Sequence, residues 1–96
     1  MLMLITYDVN TELAAGRRRL RRVARACLDY GQRVQYSVFE CEVDPAQWVA
    51  LRTRLVQEVD PALDSLRFYR LGADGRRRVE HVGAKTVLNL EGPLLF

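Results

Sequence analysis

The spacing of apolar residues along this chain runs in the order strand, helix, strand, strand, helix, strand, and that order restricts the fold more than any other property of the sequence. Residues 2–8, LMLITYD, form a short run of bulky and β-branched side chains without a turn residue, which reads as a buried strand with Asp8 at or just past its carboxyl end. Leu13, Gly16, Leu20, Val23, Ala24 and Cys27 then recur at helical spacing. Asn10 or Thr11 is placed to cap that helix, Gly16 is its weakest point, and Arg18, Arg21, Arg22 and Arg25 lie towards other faces. Gly31 breaks the helix. From Arg33 to Val43 the apolar alternation changes parity around Ser37 to Phe39, which requires either two short antiparallel strands or one long strand bent at a bulge.

Asp44 and Pro45 supply a cap and a proline at the first helical position, Gln47 completes a capping box, and Trp48, Leu51, Leu55 and Val59 form the buried stripe of a second helix. That helix stops near Asp60 and Pro61, with Asp60 and Asp64 read as terminal caps, and LRFYRL at 66–71 is a further strand. The polar stretch from Ala73 to Gly83 reads as a hairpin arm or a mobile loop, and Thr86 to Leu90 as one more short strand. The order βαββαβ is that of a ferredoxin-like α+β sandwich, with two helices on one face of an antiparallel sheet and an additional C-terminal strand. A chain of 96 residues makes one such domain over 1–96. The other sheet face has no helix to cover it. Tyr36, Val38 and Phe68, read as facing that side, favour a homodimer through sheet faces, with residues 84–96 as a C-terminal strand and tail crossing to the partner subunit.

The charge pattern points towards phosphate. The formal charge is +3, fourteen of the fifteen cations are arginine, and five arginines fall between positions 17 and 22, with Arg25 close behind. Such a run is either a solvated helix face or a track for phosphate contact. Arg17 and Arg18, nearest the helix start, are the better placed for a role beside Asp8; Arg21, Arg22 and Arg25 extend the track, and Arg76, Arg77 and Arg78 form a second cationic cluster or a charged hairpin tip. Asp8 itself either caps the first helix or holds a divalent cation; one carboxylate is a poor magnesium site, but a two-fold axis near the strand end would pair it with its copy. Tyr7, Tyr36 and Phe39 suit either the core or base stacking, Ser37 has no neighbouring base to activate it, and His81 reads as a surface residue. Cys27 and Cys41 lack metal-ligand spacing and read as reduced core thiols, and no phosphate loop or zinc motif is present. No stretch is long and apolar enough to span a bilayer, and the amino terminus passes directly into a strand, so the expected location is cytoplasmic.

ITYDV at 5–9, the basic helix with Arg17 near its start, RVQYSVFEC at 33–41 and LRFYRL at 66–71 together resemble the CRISPR-associated Cas2 family over nearly the whole chain. The resemblance implies a ferredoxin-fold homodimer whose final strand pairs with the partner. It implies Asp8 as the ligand of a magnesium or manganese ion at the dimer axis, Ser37 and Phe39 near that site, and phosphate contacts from Arg17, Arg18 and Arg33. The implied activity is metal-dependent endonuclease cleavage of single-stranded RNA or duplex DNA. The implied partners are duplex DNA and the Cas1 integrase, whose dimers such a protein bridges during spacer acquisition, with a purely structural DNA-holding role as the alternative.

Overall fold

The computed structural model describes residues 1–72 and 77–84. The elements are β1 (Leu2–Asp8), α1 (Ala14–Leu28), β2 (Gly31–Gln35), β3 (Val38–Glu42), α2 (Pro45–Glu58), β4 (Ser65–Leu71) and β5 (Arg77–Gly83). They form a five-stranded sheet in the order β2-β3-β1-β4-β5 with every neighbouring pair antiparallel. The first four strands have the ferredoxin-like arrangement, and β5 extends it beyond β4. The parity change in the middle of the chain resolves as a two-strand hairpin turning at Tyr36 and Ser37, with a register shift between Arg33 and Gln35. Of the two alternatives for the polar stretch, the hairpin arm holds, as β5, while the strand expected at Thr86 to Leu90 lies outside the described residues.

The core follows from strand alternation. Met3, Ile5 and Tyr7 on β1 face the helices, and register places Phe39 and Cys41 of β3 and Leu66 and Phe68 of β4 beside them. Leu20, Val23 and Cys27 of α1 and Leu51 and Leu55 of α2 close over this layer. Phe68 therefore does not belong to the uncovered face expected for it. It is 1% exposed and meets the Trp48 ring of α2 edge-on at 4.9 Å between centroids. The uncovered face carries Leu2, Leu4, Thr6 and Asp8 of β1, with Val38 from β3 and Arg67 from β4 level with Thr6.

The second helix starts as its sequence dictates. The Asp44 carboxylate accepts from the Gln47 amide at 2.7 Å, and the Gln47 side chain accepts from the Asp44 amide at 2.9 Å. Asp44→Ala removes this reciprocal cap and is expected to cost about 0.5–2 kcal/mol in chemical denaturation, with the fold retained. The first helix departs from expectation: its N-cap is Leu13, with no side-chain cap, rather than Asn10 or Thr11. Asn10 instead accepts from the Glu12 amide at 2.9 Å, turning the chain before the helix begins.

Candidate nucleic-acid cleavage site

β1 runs through the middle of the sheet, so its carboxyl end delivers Asp8 between two neighbouring strands. Beyond the β1–β3 ladder, the Tyr7 amide donates to the Ser37 carbonyl at 2.9 Å, drawing the Tyr36–Ser37 turn against the end of β1. The loop from Val9 to Leu13 folds back over the start of α1. A Cβ at Gly16 would stand 1.9 Å from the Asn10 carbonyl oxygen, so a residue that weakens the helix is needed for this close approach. Arg17 secures the same loop from below, donating from Nη1 to the carbonyls of Thr11 and Glu12 at 2.8 and 3.1 Å. The result is a cleft of about 380 Å³ whose lining includes Thr6, Asp8, Thr11, Tyr36, Ser37 and Arg67.

Behind the cleft lies a buried charge network. Asp64, 1% exposed, accepts from Tyr7 Oη, from Arg19 Nε at 2.8 Å and Nη2 at 3.1 Å, and from the Asp60 amide at 3.0 Å. Burial would raise the Asp64 carboxyl, but the hydrogen bonds from Arg19, Tyr7 and the Asp60 amide, with the Arg19 charge, hold it below the usual carboxylate range. Burial and the Asp64 contact push the Tyr7 hydroxyl above its ordinary value, so the phenol stays a donor. Asp64 is thus an internal anchor joining β1, α1 and the approach to β4, not a terminal cap. Asp60 does serve a turn, accepting from the Ala62 amide at 3.0 Å.

The site residues expected from the sequence separate into groups. Asp8 and Ser37 share the cleft. Phe39 is fully buried under the sheet, so its link to the cleft runs through packing: the Arg33 guanidinium lies 5.1 Å from its ring and 5.6 Å from that of Tyr36. Tyr36, 65% exposed, is the aromatic open to a base; Tyr7 and Phe39 are core. Arg17 is engaged by loop carbonyls and does not line the cleft. Arg22 pairs with Glu58, while Arg18, Arg21 and Arg25 are exposed along α1; Arg21, Arg25 and Arg33 line a shallow groove of about 370 Å³. Arg77 and Arg78 belong to β5, and Arg76 lies outside the described residues. Arg67, which sequence reasoning passed over, does line the cleft; the signal was its parity opposite to Leu66 and Phe68, meaningful only once β4 is paired with β1.

Among the described residues no group of three or more His, Cys, Asp and Glu side chains could hold a metal ion. Thr6, Asp8, Thr11 and Ser37 contribute oxygen-bearing side chains to the lining of the cleft, the residue types from which a hard divalent cation would have to draw its protein ligands there. Cys27 and Cys41 are free and buried, with the Cys41 thiol 3.4 Å from the Cys27 carbonyl; contact with Cys41 and burial push the Cys27 thiol up. His81 is half-buried on β5, not a surface loop residue, and burial and the Arg67 charge lower its pKa. No helix of the described residues is long and apolar enough to cross a membrane.

Comparison with known proteins agrees with this architecture. The family profile described as CRISPR associated protein Cas2 matches residues 1–79. A CRISPR-associated endoribonuclease Cas2 of Chlorobaculum tepidum is 67% identical over 96 residues, covering all of both chains. A CRISPR-associated endonuclease Cas2 of Halalkalibacterium halodurans is 55% identical, again over the whole of both. The crystal structure of Streptococcus pyogenes Cas2 superposes with a TM-score of 0.73 at 62% identity, covering 75% of this chain and 87% of that one. With its strand order, its YDV and SVFE segments meeting at one cleft and a profile match across most of its length, the chain belongs to the CRISPR-associated Cas2 family.

Proposed function

We propose that this protein is a divalent-metal-dependent endonuclease that cleaves phosphodiester bonds in single-stranded RNA or duplex DNA. The observation that carries this reading is the convergence of Asp8, Ser37 and Arg67 on one open cleft at the end of the central strand. Asp8 is exposed there, with the Ser37 hydroxyl and the neighbouring threonines available to orient water or a phosphate oxygen. Asp8 would hold a magnesium or manganese ion, which would supply Lewis-acid charge against the phosphoryl oxygens. As a homodimer through the uncovered sheet faces, with the tail packing on the partner subunit, the protein would bring the two Asp8 carboxylates together and double the charge at that point. The names of relatives as endoribonuclease and endonuclease support the same class of reaction. The test is cleavage of labelled single-stranded RNA and duplex DNA with magnesium or with a chelator: products with magnesium only are expected, and no metal-dependent product would overturn the reading.

A second reading has its own observation. Arg18, Arg21 and Arg25 are exposed on α1, and Arg33 lines the same groove as Arg21 and Arg25, an arrangement suited to backbone contact without base readout. On this reading the homodimer holds duplex DNA between dimers of the Cas1 integrase during spacer acquisition and need not cut it. Replacing Arg18, Arg21 and Arg25 together by Gln is expected to weaken binding to any duplex sequence and to reduce the slope of log affinity against log salt by about 3, near one for each phosphate no longer neutralised. An unchanged slope in filter binding would remove α1 from the interface.

A further inference from the structure

We propose that Cys27 and Cys41 are a redox-responsive dithiol, which a hydroperoxide converts to an intramolecular disulfide tying the end of α1 to β3. They are the chain's two cysteines, 14 positions apart, and both thiols are free and buried. Cys27 stands in the last turn of α1 and Cys41 near the end of β3, in the core that α1 closes. The Cys41 thiol donates to the Cys27 carbonyl at 3.4 Å, and the two thiols are in side-chain contact with each other. A disulfide needs two cysteines brought together in this way, and inside cells such bonds are mostly transient and redox-sensing.

The pair lies towards one edge of the core, under a thin cover. β3 is second in the sheet order, and Gly31 of the edge strand β2 stands opposite Cys41 in register. A Cβ at Gly31 would come 1.8 Å from the Glu40 carbonyl oxygen and 2.7 Å from Cys41 Cα, so bare backbone, not a side chain, lies beside Cys41 on that side. On the helix, Ala24 and Leu28 flank Cys27 at helical spacing and line the shallow groove that also holds Arg21, Arg25 and Arg33; Leu28 is 51% exposed. The Cys27 carbonyl accepts the Tyr30 amide at 3.0 Å just past the end of α1. Helix ends open ahead of the core, and opening of this turn admits a small peroxide to the thiols without unfolding the sheet.

The surroundings divide the work between the two sulfurs. The hydrogen bond from Cys27 lowers the Cys41 thiol, while contact with Cys41 and burial push the Cys27 thiol up. Cys41 is therefore the attacking thiolate and Cys27 the resolving thiol. The Cys41 sulfur attacks one peroxide oxygen, the O–O bond breaks, and the other oxygen leaves as water or an alcohol with the thiol proton. The Cys27 sulfur then attacks the sulfenic acid formed on Cys41, and its proton departs with the sulfenic oxygen as water. Two electrons pass from the sulfurs to the peroxide, and one S–S bond replaces two S–H bonds.

The experiment treats the full-length folded protein with hydrogen peroxide, removes the oxidant, and unfolds the protein in N-ethylmaleimide for intact mass and tryptic mapping. The expected product has lost about 2 mass units, takes up no maleimide, yields one linked pair of peptides containing Cys27 and Cys41, and returns to the starting mass with dithiothreitol. It is expected to melt at least about 5 °C above the reduced protein, because the bond closes a loop in the unfolded chain. With dimedone present, Cys27→Ser is expected to be labelled at Cys41, whereas Cys41→Ser is expected to take no label. Two maleimide adducts after peroxide, a bond joining two chains, or a disulfide that leaves the melting temperature unchanged or lower overturns the proposal. Dimedone on Cys27 in Cys41→Ser, with none on Cys41 in Cys27→Ser, overturns the division of roles. Should either variant fail to fold, the mass and melting temperature of the oxidised wild type decide.

Discussion

Asp64→Ala is expected to be the most destabilising single substitution among the charged residues, lowering stability by about 3–5 kcal/mol and the melting temperature by more than about 10 °C. The side chain is 1% exposed and receives four hydrogen bonds, two of them from Arg19, itself only 13% exposed. Removing the carboxylate leaves the Arg19 guanidinium and the Tyr7 hydroxyl without their acceptor in a buried place, and both residues belong to the elements that frame the cleft. The same network sets a pH dependence. The Asp64 carboxyl is held below its unfolded value, so its contribution is present above about pH 4 and disappears as pH falls through the folded pKa. The Tyr7 hydroxyl is raised, so its contribution is full below about pH 10 and declines as pH rises above that. Melting curves from pH 2 to 8 should show an acid-side loss of stability that is smaller in Asp64→Asn; equal acid slopes in the two proteins would contradict the role given to Asp64.

Asp8→Asn is expected to lower cleavage by at least about 10²-fold while leaving the fold intact. Asp8 is exposed at the end of β1, outside the hydrophobic core, and exposed substitutions of this kind move stability by about 0.5 kcal/mol or less. Asparagine keeps the shape and loses the charge that would hold a cation, so binding of substrate in calcium-free buffer should survive while turnover does not. Measuring single-turnover rates beside melting temperature separates the two effects. A variant that melts with wild type and cuts at an undiminished rate would remove Asp8 from the chemistry.

The elements with strong local signals were legible in the sequence. The α2 capping box, the β1 strand and the parity change at Ser37 each arise from neighbouring residues, and all three stand in the structure, although β1 buries only Met3, Ile5 and Tyr7 and leaves Leu2 and Leu4 half-buried on the other face. What was hidden depends on contacts between distant segments. Phe68 and Tyr36 cannot be assigned to a sheet face until β4 is registered against β1 and the β2–β3 turn is placed. Asp64 looks like a loop carboxylate until Arg19, 45 positions earlier, and Tyr7, 57 positions earlier, converge on it. The first helix begins later than its polar residues suggest because Asn10 is used in a turn, leaving Leu13 at the cap. Of the site, Asp8 and Ser37 could be paired through the YDV and SVFE segments, whereas Arg67 needed the antiparallel pairing with Thr6 to be seen beside them.

The most direct test of the cleft as a metal-dependent cleavage site is a sulfur substitution at the non-bridging oxygens of the scissile phosphate, cut under single-turnover conditions in magnesium and then in manganese. One phosphorothioate diastereomer is expected to slow cleavage at least about tenfold in magnesium and to recover in manganese, which accepts sulfur more readily. Equal rates in both metals for both diastereomers, or cleavage that persists in a chelator, would contradict it.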